Sequence, residues 1–283
     1  MGKILLTAES GSDLTREQAK EYGVTIVPMH VSFGGQTRDD GAFPVSEMFE
    51  HYKNTRDLPR TSGCTPHDFE TVFPKLLEDN PDAQILHLAY SASTTCSMQS
   101  AQIAAQGNPR IVCVDTKSVS AAQAAIVLRT AKLLRENPEI TMRGVLDAVD
   151  EMISKIHMGF FPGDLEYLRA GGRVSNAAYL GATLLNLHPL IEIQDGKLLS
   201  TKKYRGAMAK VIAKLIREYP AQHQLDKSEL YLIYGEGLDP AIMQDAKQSA
   251  KEQGFQHVSW VKTGCVIAAH SGPGAFGIVG FEA

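Results

Sequence analysis

The sequence predicts an α/β protein of two domains. An N-terminal domain over residues 1–150 carries a parallel sheet with helices on both faces, and a C-terminal domain over residues 151–283 carries a mixed sheet. Three observations carry that prediction. Short apolar runs alternate with helix-length segments through the first half, the pattern of parallel strands joined by crossover helices. A chain of 283 residues, 43% of them hydrophobic, exceeds what a single core usually holds. Past residue 150, Asp195-Gly196 stands between two apolar runs, a hairpin signal that brings antiparallel pairing into the second sheet.

In order, Lys3 to Thr7 reads as a buried strand, and Asp13 to Tyr22 as a helix stopped by Gly23. Val24 to Phe33 reads as one strand. After a Gly/Asp-rich loop, Val45 to Lys53 reads as a helix, and Thr65-Pro66-His67-Asp68 as an N-cap with proline at the first helical position. Ala83 to Tyr90 and Arg110 to Asp115 follow as strands, alternating with helices over Met98 to Gln106 and Ser120 to Glu136. Ligands of such sheets gather beyond the C-terminal ends of the strands, so the loops after Thr7, Tyr90 and Val114 are the segments to watch.

The second half opens with a helix over Arg143 to Met158, followed by Phe160-Phe161. Leu165 and Leu168 with Gly171 beyond them give a short helix with a glycine stop. Ser175 is placed to cap a further helix, Ala177 to Leu187, which Pro189 ends. Strands are read at Leu190 to Ile193, Leu198 to Ser200, Leu230 to Tyr234, Val258 to Lys262 and Phe276 to Phe281, around a helix from Pro240 to Gln253. There is no internal repeat and no low-complexity linker.

Composition removes several function classes. A net charge of −4 without a basic run argues against nucleic acid as the main partner. Cys64, Cys96, Cys113 and Cys265 lie far apart with no C-x-x-C pair, which fits a reduced cytoplasmic protein without structural zinc. Met1 to Leu6 runs directly into Glu9 and Asp13, too short for a signal-peptide core, and Leu6 lacks the hydroxyl of a myristoylation motif. No apolar run approaches membrane-spanning length, so membrane contact is at most transient. The expected cofactors and metals are none.

The segment richest in chemistry is Ala269-His270-Ser271-Gly272-Pro273-Gly274-Ala275, where a lone imidazole precedes a glycine turn able to aim backbone N–H groups at an anion. Hydroxyl-rich stretches at Thr61-Ser62, Ser91 to Ser97 and Ser118 to Ser120 each adjoin a strand-like run. Brought together with His270, they would make a compact carboxylate or phosphate site. Each residue also has a plainer role. His270 can be a core histidine, Thr61 a helix cap, Thr95 and Ser97 rivals for one N-cap, Cys96 a small buried or semi-buried residue, and Arg173 a solvated surface cation.

These residues, in their order, resemble the DegV family: Glu9-Ser10-Gly11-Ser12-Asp13-Leu14, Thr61-Ser62, the Ser/Thr loop ending Gln99-Ser100-Ala101, Leu165-Glu166-Tyr167-Leu168 to Gly171-Gly172-Arg173-Val174-Ser175, and His270 to Ala275. The resemblance spans essentially the whole chain. It implies a two-domain carrier that holds one long-chain fatty acid in a tunnel and presents its carboxylate to a separate fatty acid kinase catalytic subunit, which makes the acyl phosphate. The family's head-group threonine falls on Thr61, its loop hydroxyl on Thr95 and its histidine on His270, with Ser62 and Cys96 beside them. The apolar face of Tyr179, Leu180, Thr183, Leu184 and Leu187 serves as core or tunnel wall, and Arg173 and Arg205 are implied to lie near the partner surface. A buried carboxylate needs two or three donors, which hydroxyls, His⁺ and a helix N-terminus near Ser97 would supply.

The chain departs from the family pattern at Glu9, where aspartate is usual, at Thr95-Cys96-Ser97 in place of Ser-Gly-Thr, and at Gly63-Cys64 in place of Gln-Pro. Two function classes follow. The first is a non-catalytic lipid carrier, since no Walker loop, metal cluster or nucleophile–base signature is present in the sequence. The second is a small-molecule enzyme or phosphate-binding protein using His270 as general acid or base.

Overall fold

The computed structural model describes residues 3–174 and 186–283. The chain opens with β1 (Ile4–Glu9), a 3-10 turn at Ser10–Ser12, and α1 (Arg16–Tyr22). Thr15 and Gln18 form a capping box on α1, and Gly23 ends it at φ +66°. The helix therefore starts three residues after the sequence places it, leaving Asp13 in the preceding turn. Next come β2 (Val24–Val27), β3 (His30–Phe33) and β4 (Gln36–Asp39). The single strand expected over Val24 to Phe33 is two, because Pro28 lacks the N–H to continue a ladder; β2 and β3 join different sheets.

Helix α2 (Val45–Thr55), β5 (Arg60–Ser62) and α3 (Pro66–Asp79) follow, α3 opening with a Thr65–Asp68 capping box and Pro66 in its first turn. Then β6 (Gln84–Ala89), α4 (Ser97–Ala105), β7 (Ile111–Asp115), α5 (Ser120–Glu136) and α6 (Met142–Lys155) complete the alternation. Residues Ile156 to Met158, expected to finish a helix, instead begin β8 (Ile156–Phe161), which runs into α7 (Leu165–Gly171). A hairpin of β9 (Leu187–Gln194) and β10 (Lys197–Arg205) turns at Asp195-Gly196, both at positive φ as a two-residue turn requires. The last elements are α8 (Met208–Gln222), β11 (Glu229–Tyr234), α9 (Pro240–Glu252), β12 (His257–Lys262), α10 (Cys265–Ser271) and β13 (Phe276–Phe281).

The expected helix over Ala177 to Leu187 falls outside the described residues except at its end, where Leu187 is already the first residue of β9. Pro189 lies within that strand rather than stopping a helix. Strand β8 pairs with β9 only at Glu192 and Ile191, so the missing N–H of Pro189 interrupts no ladder on that side.

Strands β2-β1-β6-β7 form a parallel sheet, and β10-β9-β8-β13-β11-β12 a mixed one in which only β11 and β12 run parallel. A small antiparallel sheet, β4-β3-β5, sets Thr61 beside Val31. Helix α5 packs against β1 and β6 of one large sheet and β8 and β13 of the other. Its Ala121, Ala122, Ala124 and Ala125 are buried, and their small side chains let both sheets approach it closely. Arg129 of α5 stacks 3.5 Å over the Phe281 ring of β13. One core cluster runs from the parallel sheet through α5 and α10 to the inner face of the mixed sheet; a second lies under α8 and α9.

Candidate functional site

Helix α10 is the element around which the site is assembled. None of its own side chains caps its N-terminus; two carboxylates from far upstream do so. Asp13 accepts from Gly264 N at 2.7 Å and from Ser120 Oγ at 2.5 Å, while Asp40 accepts from Cys265 N at 2.9 Å and from Ser10 Oγ at 2.9 Å. Burial pushes the Asp13 carboxyl up to about 8 against the hydrogen bonds from Ser120 and Gly264, and nearby Asp40, also raised by burial, adds to the rise. The helix ends at Gly272, φ +69°, where a Cβ would stand 2.7 Å from Asp164 Cβ.

That glycine turn does not offer its N–H groups to an anion. Gly272 N donates to Ala268 O and Gly274 N to Glu236 O, both at 2.9 Å, and Gly163 N donates to Ser271 O at 2.8 Å. The turn is a helix stop packed against its neighbours. What it delivers is His270, at the last turn of α10, with Nε2 2.8 Å from Thr61 Oγ1. The second ring nitrogen, Nδ1, is sealed from solvent and has no hydrogen-bond partner among the described residues. It abuts Gly171 of α7, where a Cβ would lie 2.1 Å away. Burial, together with the charge of Arg173, lowers the His270 pKa to about 4. The imidazole is thus neutral at pH 7, in place of the charged donor expected from the sequence.

Thr61, Ser62, Thr95, Arg173 and His270 all line one cavity of about 840 Å³, its opening to solvent included. Most of its wall is apolar and comes from the mixed sheet, α7 and α10, with Phe160, Leu168, Leu198, Ile233, Val266 and Phe276 among the contributors. Gly63 lets the Thr61 strand approach the hydroxyl loop: a Cβ there would meet Thr95 Oγ1 at 2.3 Å and Ser97 Oγ at 2.5 Å. Ser97 N donates to Thr95 Oγ1 at 3.3 Å, and Ser97 Oγ accepts from Cys64 N at 3.0 Å, so this loop both starts α4 and edges the cavity.

Cys96 is exposed, rather than buried or semi-buried, and is not among the lining residues. Arg173 Nη1 donates to Gly171 O at 2.6 Å, and Arg205 is exposed at the end of β10, away from the cavity lining. Leu180, Thr183 and Leu184 lie outside the described residues, as does Tyr179. Lining residues that sequence reasoning does not single out are Met29, Tyr90 and Thr263, and no periodicity or motif marks them.

Beneath the site lies a second histidine. His87 of β6 is fully buried, with Nδ1 3.0 Å from Thr7 Oγ1 and Nε2 facing Glu9 Oε1 at 3.4 Å without hydrogen-bond alignment. Burial alone would raise the Glu9 carboxyl; the His87 ring, Tyr90 N–H and Gln123 amide outweigh it and hold the pKa below the ordinary value. Among the described residues, no cluster of three or more His, Cys, Asp or Glu is arranged to hold a metal ion, and no helix is long and apolar enough to cross a membrane.

Comparison with known proteins places this arrangement. Residues 3–283 match the family model described as "Uncharacterised protein, DegV family". A DegV domain-containing protein of Deinococcus radiodurans is 29% identical, the alignment covering 97% of each chain. A DegV family protein of Thermus thermophilus, whose structure is described as fatty acid binding, superposes with a TM-score of 0.89 at 27% identity over 99% of this chain and 100% of that one. A stearic acid-binding protein of Eubacterium ventriosum shares the fold, with a TM-score of 0.83 at 22% identity over 100% of this chain and 98% of that one. With a family match along nearly its whole length and this fold, the chain belongs to the DegV family.

Proposed function

We propose that this protein is a carrier for one long-chain fatty acid, held with its carboxylate at Thr61 and His270 and its acyl chain in the apolar cavity. The carboxylate is presented to a separate kinase that forms the acyl phosphate. The observation that carries the reading is the Thr61–His270 pair in the wall of a mostly apolar cavity. The fatty acid binding described for the Thermus thermophilus relative supports it.

The chemistry of the pair suits a carboxylate. In the Nε2–H tautomer, neutral His270 donates to Thr61 Oγ1, and the threonine hydroxyl proton is left for the ligand. Ser62, beside Thr61 on β5, and Thr95, on the loop before α4, add hydroxyls, so a desolvated carboxylate meets several donors. The apolar walls repay burial of the chain in proportion to the surface removed from water.

In this reading the head group lies between the proposed domains, residues 1–150 and 151–283. Leu180, Thr183 and Leu184 extend the chain's wall, and Arg173 and Arg205 belong to the face that meets the kinase. The protein acts in the cytoplasm without a cofactor, a reading supported by its four free cysteines.

Denaturing extraction of purified protein followed by mass spectrometry tests the ligand, with about one fatty acid per chain expected because a preformed apolar pocket does not stay empty in water. Stoichiometric sugar phosphate or nucleotide without an acyl chain would replace this reading with that of a phosphate-binding protein or an enzyme using His270 as acid or base. Incubation with ATP, magnesium and fatty acid tests the division of labour: no acyl phosphate forms until a kinase is added, and turnover by the isolated chain would refute the carrier assignment.

A further inference from the structure

We propose that Thr263 is a second polar contact of the cavity, set partway along the acyl chain, and that the protein prefers fatty acids bearing a mid-chain hydroxyl over unsubstituted ones. The inference rests on the reading of the cavity as an acyl-chain site. Thr263 lines the cavity, is 2% exposed, and its Oγ1 has no hydrogen-bond partner among the described residues. Its backbone is fixed, with N donating to Tyr234 O at 3.0 Å.

The polar groups around Thr263 are already spent. Ser120 Oγ and Gly264 N both donate to Asp13, and Cys265 N donates to Asp40. Thr263 alone there keeps a hydroxyl able both to donate and to accept. A buried hydroxyl left unpaired is costly, and a methylene passing it provides no partner. An alcohol on the ligand does.

The position along the ligand follows from helix geometry. Thr263 directly precedes the N-cap of α10 and His270 lies seven residues on, so the two are separated by about 10 Å along the axis at 1.5 Å per residue. With its carboxylate at His270, a fatty acid in this cavity reaches Thr263 well down its chain and not at its head group. Ser120, which also lines the cavity, is tied to the same end of α10 through Asp13 and retains lone pairs that can accept from a ligand alcohol.

Direct titration of delipidated protein with stearate and with a mid-chain monohydroxystearate tests this. The wild type is expected to bind the hydroxylated acid roughly five- to ten-fold more tightly, the worth of one net hydrogen bond. In the ratio of the two affinities, Thr263→Val, nearly isosteric, should lose the preference, while Thr263→Ser, which restores the hydroxyl, should keep it. Equal binding of both acids by the wild type, or a preference that survives in Thr263→Val, would overturn the inference while leaving the carrier reading intact. Binding of neither acid would overturn both.

Discussion

His87, fully buried, and His270, half-buried, are two imidazoles that differ in what their nitrogens meet. His87 presents one nitrogen to Thr7 and the other to Glu9, and its ring packs against Phe69 and Phe73 with centroids 5.0 and 6.0 Å away. Since Thr7 and His87 are register partners on β1 and β6, this histidine ties two central strands together. Each ring keeps one nitrogen without a hydrogen bond among the described residues, but that of His87 faces the Glu9 carboxyl group, whereas that of His270, whose other nitrogen meets Thr61, abuts Gly171 at a cavity wall. A histidine whose partners all come from the core is part of the fold's stability. One bonded to a hydroxyl that itself lines a cavity acts instead on what that hydroxyl can offer a ligand.

Replacing each histidine by alanine breaks or sharpens the contrast most directly. His87→Ala leaves the Glu9 carboxylate buried without its facing ring and is expected to cost roughly 3–5 kcal/mol of stability, the range for breaking a buried pair. His270→Ala should cost clearly less in urea unfolding while weakening fatty acid binding. Equal losses of stability would remove the distinction.

Gly171→Ala is the next test, because it acts on His270 without replacing it. The added methyl meets Nδ1 at 2.1 Å, so ring or helix has to shift, at about 1–3 kcal/mol for overpacking. Binding should fall as it does in His270→Ala, and unchanged affinity would show that the ring position is immaterial. Thr61→Ala and His270→Ala should each weaken carboxylate binding by roughly 1–3 kcal/mol. The double variant should lose less than the sum, as members of one hydrogen-bond network do. Isothermal titration with a fatty acid and with its methyl ester separates this from a general loss of chain binding, since the ester should be little affected.

The dependence of stability on pH probes the same environments. His270 titrates near 4 in the folded chain against 6.5 ordinarily, so the unfolded chain takes the proton first and stability falls as pH drops from 6.5 toward 4. Asp13 runs the other way. Its folded value of about 8 against 3.8 makes the folded chain the better proton binder, and stability rises as pH drops from 8 toward 4. Unfolding midpoints across that range should show the acid loss reduced in His270→Gln and the acid gain reduced in Asp13→Asn. If both variants follow the wild-type profile, neither group has the environment described.

Local signals account well for the alternation of the first half and for the β9–β10 hairpin. The Thr65 capping box, the glycine stop after Tyr22 and the Asp195-Gly196 turn are all chemistry within a few residues, and each is found where the sequence reads it. Helix α8 also had a signal, with Val211, Ile212, Leu215, Ile216 and Tyr219 at helical spacing, and is absent from the sequence reading all the same. Helix α10 is different in kind. Seven residues are too few to show a period, and its N-terminal partners, Asp13 and Asp40, lie more than 200 residues upstream, so only the folded chain reveals why His270 sits on a helix. Strands β4 and β5 are short pieces at the edges of a small sheet and carry no alternation long enough to read. The hydroxyls at Thr61 and Thr95 are legible through the family's motif order; Thr263 is not, because a lone threonine after a strand has no local signature.

Helix α5 has a consequence for the protein's motions. Because its buried alanines face both large sheets, neither sheet can lift away without exposing the helix to water. Its central amides should therefore exchange with deuterium only through global opening and rank among the most slowly exchanging in the chain, while the loops at the cavity edge open on their own at much lower free energy. Ligand entry would then proceed by movement of those edge loops around a fixed spine, and exchange of the bound lipid would leave the protection of α5 unchanged.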